Sequence, residues 1–534
     1  MITDKIFDRR SYLDILEKRI GGLKDNYRQN IAIIGEESIG KTSMIFKLLN
    51  SFYDNRIIAA YLEVRQEPLH SFARRFVGVL LYNFLLNSNI ALKEDLGFLI
   101  TKSEKYIPKT VEKIRLILNA ADKRRRSSIF TELFSLCDTI YLETGKSCVV
   151  ILDEFHNLEN IGIKNLYREW PKLLISQKNT MYIIVSSLKF KSRAILSKNL
   201  SLLFGNFELI TVEPFDIRTS EQYLEHRLGD LGLNNALKNF IVHFTGGYPL
   251  YLEAISDSLL KSTQEGNQLN LADILESLLF DSSGMLNIRF SNYIKRFLGL
   301  SHNDDYISIL YLIASGRNKI KDIAHILHKN RKELMSRINR LLELDAVIRS
   351  GDFLKINDRV FGFWLRYVYQ EKLHSLTFDA KNQKAKFRGN IEDMIQDFFL
   401  SARKPVTERL TEVLHLFEDE VTQIERKNIR LNHFREVKPL EFNGSGLKDG
   451  LIGRCNDSLW IMAFKRGLLT EEDITEFARE CKKYRHKTQR KIIVTLQDID
   501  ANTRLKAMEE KIWTWDINNL NQVLDLFSKP WVIA

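Results

Sequence analysis

The residues Gly35-Glu36-Glu37-Ser38-Ile39-Gly40-Lys41-Thr42 carry the spacing G-x-x-x-x-G-K-T, the pattern of a loop that cradles the phosphates of a nucleotide. Gly35 and Gly40 let the backbone bend, so that successive N–H groups point inward at phosphate oxygens. Lys41 is placed to reach the β- and γ-phosphates, and the Thr42 hydroxyl is a magnesium ligand; Ser43 follows in the helix that the loop opens. A second set stands at Asp153-Glu154. Here Asp153 holds magnesium through its water shell, and Glu154 orients or polarises the attacking water. The chemistry expected of these residues is ATP binding and hydrolysis with Mg2+, with Lys41 and Glu154 as the catalytic candidates.

Such residues work only if secondary structure brings them together. Residues 31–34 form a short apolar run that predicts a buried strand, and Ser43-Met44-Ile45-Phe46-Lys47-Leu48-Leu49 after the loop has helical periodicity. Residues 148–152 predict a second buried strand, ending in Asp153. A third, residues 181–185, ends in Ser186-Ser187. In ATPases that insert a strand between the two motif strands, a polar residue there senses the γ-phosphate, and either serine has the hydroxyl to do so. Ordinary turn chemistry also accounts for the pair. Residues 57–64 and 207–212 complete a sheet of about five parallel strands. His156 is read as a structural hydrogen-bonder.

A chain of 534 residues is too long for one core and predicts several domains. With 44% hydrophobic and 28% charged residues the balance is that of a folded chain, and only 8 prolines favour helices over long loops. The net charge of +11 permits contact with nucleic acid without establishing it. The four cysteines, Cys137, Cys148, Cys455 and Cys481, form no C-x-x-C pair, which excludes the usual zinc ribbon and any disulfide framework. Met1-Ile2-Thr3-Asp4-Lys5 lacks a signal-peptide core, and no apolar run approaches membrane-spanning length. The expectation is a cytoplasmic chain that makes no membrane contact.

Several segments carry a resemblance. Phe7-Asp8-Arg9-Arg10-Ser11-Tyr12-Leu13 is similar, with one residue fewer before the leucine, to an F-x-x-R-x-x-x-L opening, and Thr245-Gly246-Gly247-Tyr248-Pro249 to a G-G-x-P motif. Asp358-Arg359-Val360-Phe361-Gly362-Phe363-Trp364 is similar to a D-x-x-x-x-F-W motif. Together with the two nucleotide motifs, in this order, the chain resembles the archaeal-type ATPases of the STAND branch of AAA+-related P-loop proteins. The resemblance implies an α/β P-loop NTPase core over residues 1–215 and a helical lid over 216–295. It also implies a winged-helix domain over 296–375. Arg9 then packs near the adenine, and Pro249 lies against the base and couples nucleotide state to lid position. One departure stands out: where relatives read L-x-G-R, this chain reads Leu203-Phe204-Gly205-Asn206. Asn206 supplies no charge to a transition state. Arg193 or an arginine of a neighbouring subunit in a homo-oligomer is left as the substitute, and otherwise turnover is slow.

In the region expected to be a winged helix, residues 306–314, 319–327 and 331–344 read as three helices, and Ser350-Gly351-Asp352 as a hairpin turn suited to a wing. The third helix carries Arg331, Lys332, Arg337 and Arg340, which suit phosphates or guanine edges; a solvated basic face on a protein-contact domain is the competing reading. The same ambiguity attaches to Lys123-Arg124-Arg125-Arg126 and to Arg426-Lys427-Asn428-Ile429-Arg430. Residues 385–534 resemble a restriction-endonuclease-like domain of the PD-(D/E)XK group. There Glu392, on a helix beginning at Gly389, together with Asp449 and Lys465, matches the site, but the strand acid is missing from Ala463-Phe464-Lys465. Such chemistry needs two acids on a metal, so the domain is expected to be a nuclease-dead remnant that binds DNA or a protein partner.

Overall fold

The computed structural model describes residues 7–122, 129–162, 166–200, 207–266, 269–299, 303–374, 379–424, 427–442, 446–456, 458–484 and 488–533. The basic stretch 123–126, Arg426 and the segment Leu203-Phe204-Gly205-Asn206 lie outside them, whereas Lys427-Asn428-Ile429-Arg430 is described. The chain divides into two compact units. The first comprises Met1–Phe215, Tyr248–Leu250 and Glu343–Asp345; the second comprises Asp216–Gly247, Tyr251–Leu342 and Ala346–Ala534.

The first unit is built on strands β1 (Asn30–Ile34), β2 (Ile57–Glu63), β3 (Ser147–Asp153), β4 (Thr180–Ser186) and β5 (Phe207–Thr211). They form one sheet in the order β2-β3-β4-β1-β5, and every neighbouring pair is parallel. All residues of β1, β3 and β4 are buried, as continuous apolar runs in a parallel sheet covered on both faces must be. β4 is the inserted strand, pairing Ile183 with Ile31 on one side and with Ile151 on the other. The register brings Ile34 beside Ser186, and Leu152 beside Ile184. The phosphate loop, the Asp-Glu pair and the two serines therefore leave the sheet at the same edge, outside the carboxyl ends of its strands, where open α/β sheets bind ligands. Helices Leu69–Asn87 and Ile129–Thr144 cover the sheet through a core that includes Phe76, Phe134, Trp170 and Tyr182.

The second unit begins with helices that include Ile217–Leu228, Asn235–Thr245, Leu271–Leu279 and Met285–Leu298. Three helices follow, Asn303–Ala314, Ile320–Ile326 and Arg331–Glu343, then an antiparallel hairpin of β6 (Val347–Ser350) and β7 (Phe353–Ile356). Trp364, on the helix Arg359–Trp364, donates its indole N–H to Asn287 Oδ1 at 2.9 Å, which satisfies the polar handle of a ring only 2% exposed. Beyond the long helix Ala380–Arg403 come the hairpin β8 (Glu420–Ile424) and β9 (Lys427–Leu431), then a five-stranded mixed sheet. Its strands are β10 (Glu436–Glu441), β11 (Asp449–Arg454), β12 (Leu459–Lys465), β13 (Thr488–Thr495) and β14 (Trp513–Trp515), in that spatial order. β10, β11 and β12 run antiparallel, and β12, β13 and β14 parallel.

Two local readings need correction. The helix expected from Gly389 begins nine residues earlier, because the Asp379 carboxylate caps it by accepting the N–H groups of Lys381 and Asn382. The turn Ser350-Gly351-Asp352 is not free to act as a wing. The Asp352 N–H donates to Val421 O at 2.8 Å, and its carboxylate accepts the Val421 N–H at 2.8 Å. Gly351 has φ +63°, and a Cβ there would stand 2.1 Å from Val421 O, so only glycine admits β8 this closely.

Candidate nucleotide site

The loop after β1 is held open by its own sequence. Gly40 has φ +90°, Ser38 φ +68°, and a side chain on Gly35 would fall 2.5 Å from Val212 O. The helix Lys41–Ser51 starts at the lysine itself, aiming its free N–H groups into the loop. Lys41 is 5% exposed and donates its ammonium to Glu36 O at 2.5 Å. Burial pushes its pKa below the usual lysine value, an effect that Glu154 and Asp153 oppose. Arg9, expected beside the adenine, donates to Ile39 O at 3.3 Å and to Glu213 O at 2.9 Å, and lies over the Phe215 ring at 4.7 Å. It is a strut of the loop. Pro249 is the first residue of the helix Pro249–Gln264 and belongs with its two neighbours to the first unit.

Asp153 is 2% exposed at the end of β3. Its Oδ2 accepts the Thr42 hydroxyl at 2.8 Å and the Tyr61 hydroxyl at 2.9 Å, and its Oδ1 accepts the Glu154 N–H at 2.9 Å. Hydroxyl and carboxylate oxygens meeting here form the donor set of a hard cation, so Thr42 and Asp153 fit the magnesium expected of them. Among the described residues no group of three or more His, Cys, Asp and Glu side chains could hold a metal.

Glu154 takes a left-handed backbone, φ +51°, which turns its side chain across the strand ends. Its Oε2 accepts both the N–H and the hydroxyl of Ser187, at 3.0 and 2.8 Å. Burial raises its pKa above the ordinary carboxylate value, and Asp153 adds to this, while Ser187 and Lys41 pull the other way. The two serines thus divide their work: Ser187 holds Glu154, and the fully buried Ser186 places its hydroxyl 2.8 Å from His156 Nδ1. That same Nδ1 is 3.3 Å from Glu154 Oε2, so His156, read from sequence as a structural hydrogen-bonder, stands beside Glu154. Tyr61 and Lys189 also escaped sequence reasoning, and no local motif marks either.

Other expected residues stand elsewhere. Arg193 is exposed on the helix Lys189–Ala194. In the second unit Asp449 and Lys465 line one cavity of about 480 Å³ with Lys448 and Arg466. Glu392 is exposed on the helix Ala380–Arg403 and pairs with Arg388 at 3.0 Å. Lys465 is itself engaged, donating to Asp473 Oδ1 at 2.9 Å and to Gly446 O at 3.0 Å. All four cysteines are free thiols, and among the described residues no helix is long and apolar enough to cross a membrane.

No family model and no curated protein matches the chain. Among solved structures it is similar to the Walker-type ATPase paby2304 of Pyrococcus abyssi, at 17% identity over 68% of this chain and 99% of that one, with a TM-score of 0.49. It is also similar to the Aeropyrum pernix ORC2 protein (12% identity, 74% and 96% covered, TM-score 0.40). A third likeness is to the Thermotoga maritima RuvB Holliday junction branch migration motor (10% identity, 70% and 99% covered, TM-score 0.31). Likenesses of this size assign no family, and the chemistry rests on the residues above.

Proposed function

We propose that this chain is an ATP-binding and ATP-hydrolysing switch of the STAND type, in which nucleotide state sets affinity for DNA or a protein partner. The observation that carries the reading is the meeting of Lys41, Thr42, Asp153 and Glu154 at one sheet edge, with Asp153 already bonded to Thr42. Lys41 would bind the phosphates, and the N–H groups of the loop would orient them. A magnesium ion, held by Thr42 and by Asp153, supplies neutralisation of phosphate charge when bound. Glu154, released from Ser187, would accept hydrogen bonds from the attacking water and draw off its proton; burial makes it a better base than a solvated carboxylate. While Ser187 holds it, Glu154 is turned away from that task, which suits a protein that hydrolyses slowly.

For the output, the three-helix unit of 303–343 reads as the core of a winged-helix domain, with Arg331, Lys332 and Arg340 on its exposed face. Arg337 is committed to Asp305 at 2.9 Å. DNA contact would fall to the helix Arg331–Glu343 and not to the hairpin turn, which β8 occupies. The C-terminal sheet reads as a restriction-endonuclease-like remnant: Ala463 is fully buried where an acid should be, and Lys465 is paired with Asp473. These features disfavour an ATP-gated nuclease. The test is ATP turnover and DNA binding by the intact protein and by Glu154→Gln, with ATP or ADP, at two salt concentrations. Turnover should fall about 100-fold or more in the variant while ATP binding persists. Equal turnover in both proteins would remove Glu154 from the mechanism, and DNA binding indifferent to nucleotide would remove the switch.

A further inference from the structure

The phosphate loop contains a charge of the wrong sign. Glu36 immediately follows Gly35, so its backbone belongs to the cradle, yet its side chain is a carboxylate only 8% exposed. Oε1 accepts the Lys189 ammonium at 3.0 Å; Oε2 is buried and has no hydrogen-bond partner among the described residues. Lys189 is 18% exposed and bridges onward to Glu213 at 3.2 Å. Glu213 in turn gives its carbonyl to Arg9, whose guanidinium also holds Ile39 O. Arg9, Glu213 and Lys189 therefore form a linked set of contacts that ends on the loop residues Glu36 and Ile39. Lys189 lies two residues beyond Ser187, at the strand end that restrains Glu154.

A buried carboxylate in a loop meant for a polyphosphate opposes its ligand unless it is neutralised, and the opposition grows with each phosphate charge. Resting on the nucleotide-site reading, we infer that Lys189 is a positioning residue that cancels the Glu36 charge and so lets the loop take a nucleoside triphosphate in preference to a diphosphate. Burial alone would lower the lysine's pKa, but Glu36 and Glu213 more than offset this and raise it, so the ammonium is charged when the nucleotide arrives. A packing role for Lys189 would affect ATP and ADP alike. Charge compensation affects the ligand with more charge more.

The experiment measures ATP and ADP affinity by calorimetry on the full chain, in magnesium, for the unaltered protein, Lys189→Met, Glu36→Gln and the double variant. Lys189→Met should weaken ATP by on the order of tenfold and ADP clearly less, and adding Glu36→Gln should restore ATP to within about twofold. Glu36→Gln alone should bind ATP more tightly by several-fold, a result that does not depend on Lys189→Met folding well. Equal losses for ATP and ADP, no rescue in the double variant, or weaker ATP binding by Glu36→Gln would each overturn the assignment. An unaltered chain that binds neither nucleotide would instead overturn the nucleotide site itself, and the inference with it.

Discussion

Replacing Lys41 with methionine should separate the stability of the empty protein from its response to ATP. The side chain is 5% exposed, its ammonium donates to Glu36 O, and burial disfavours its charge. A methionine of similar length removes that buried charge, so the nucleotide-free fold should be no less stable and should gain slightly. With ATP the sign reverses. Two charge-assisted hydrogen bonds to phosphate at roughly 1.5–3 kcal/mol each predict a loss of about 10²- to 10⁴-fold in affinity. ATP at about 100 times its Kd stabilises a folded protein by roughly 2.7 kcal/mol. Spread over a unit of this size, that is an upward shift of roughly 5–10 °C in the midpoint of thermal unfolding. The unaltered protein should show that shift in scanning calorimetry with Mg–ATP, and Lys41→Met should show about 1 °C or less at the same concentration. A variant that keeps the shift would refute the phosphate role of Lys41. A nucleotide-free variant destabilised by more than about 2 kcal/mol would mean that the lysine is built into the fold.

In the second unit, Asp525 is 8% exposed in its side chain between Lys355 and Arg359, which hold its carboxyl well below the usual range although burial pulls it upward. Asp525→Asn should cost that unit about 3 kcal/mol, read as a lower urea midpoint, because it strands two cations beside His243; a loss under about 1 kcal/mol would show the cluster to be solvated. Asp345, in the first unit, accepts the Phe190 N–H, and burial lifts its pKa to about 6. The protonated carboxyl is the favoured form in the fold, so stability from this group is full below about pH 4 and is lost as pH rises through 6. Asp345→Asn should therefore gain about 2 kcal/mol at pH 7 and none at pH 4, and a gain independent of pH would contradict the assignment. Gly351→Ala should cost about 2 kcal/mol or more, since the left-handed turn and the contact with Val421 both exclude a side chain; an unchanged denaturation profile would show that β8 gives way.

The first sheet and the meeting of its motif residues at one edge were legible in sequence because they depend on local signals. Continuous apolar runs announced β1, β3 and β4, and motifs at their ends named Lys41, Thr42, Asp153 and Glu154. What escaped depends on approach across the sheet. Tyr61 is an ordinary strand aromatic until β2 pairs with β3 and brings its hydroxyl to Asp153. Lys189 is an ordinary surface lysine until β4 lies beside β1 and sets it against Glu36. The start of the helix that carries Glu392 was misjudged for a different reason: Gly389 looked like its beginning, but the Asp379 cap starts it at Ala380. The hairpin turn was read correctly as a turn, yet no periodicity in 347–356 could reveal that β8 closes over it.

That closure has a consequence for how the chain can be divided. Asp352 exchanges two hydrogen bonds with Val421, Ser350 Oγ lies 2.9 Å from Thr422 Oγ1, and Asn318 donates its amide to Leu526 O at 2.7 Å. The three-helix region and its hairpin therefore share polar contacts with the hairpin β8–β9 and with the last helix, Ile517–Leu526, that water would have to replace if a boundary were cut near residue 380. Gene fusion or loss at that point would leave an unpaired turn on one fragment and an uncovered strand edge on the other, a surface prone to self-pairing. A cut there should leave both fragments less stable than the joined parts.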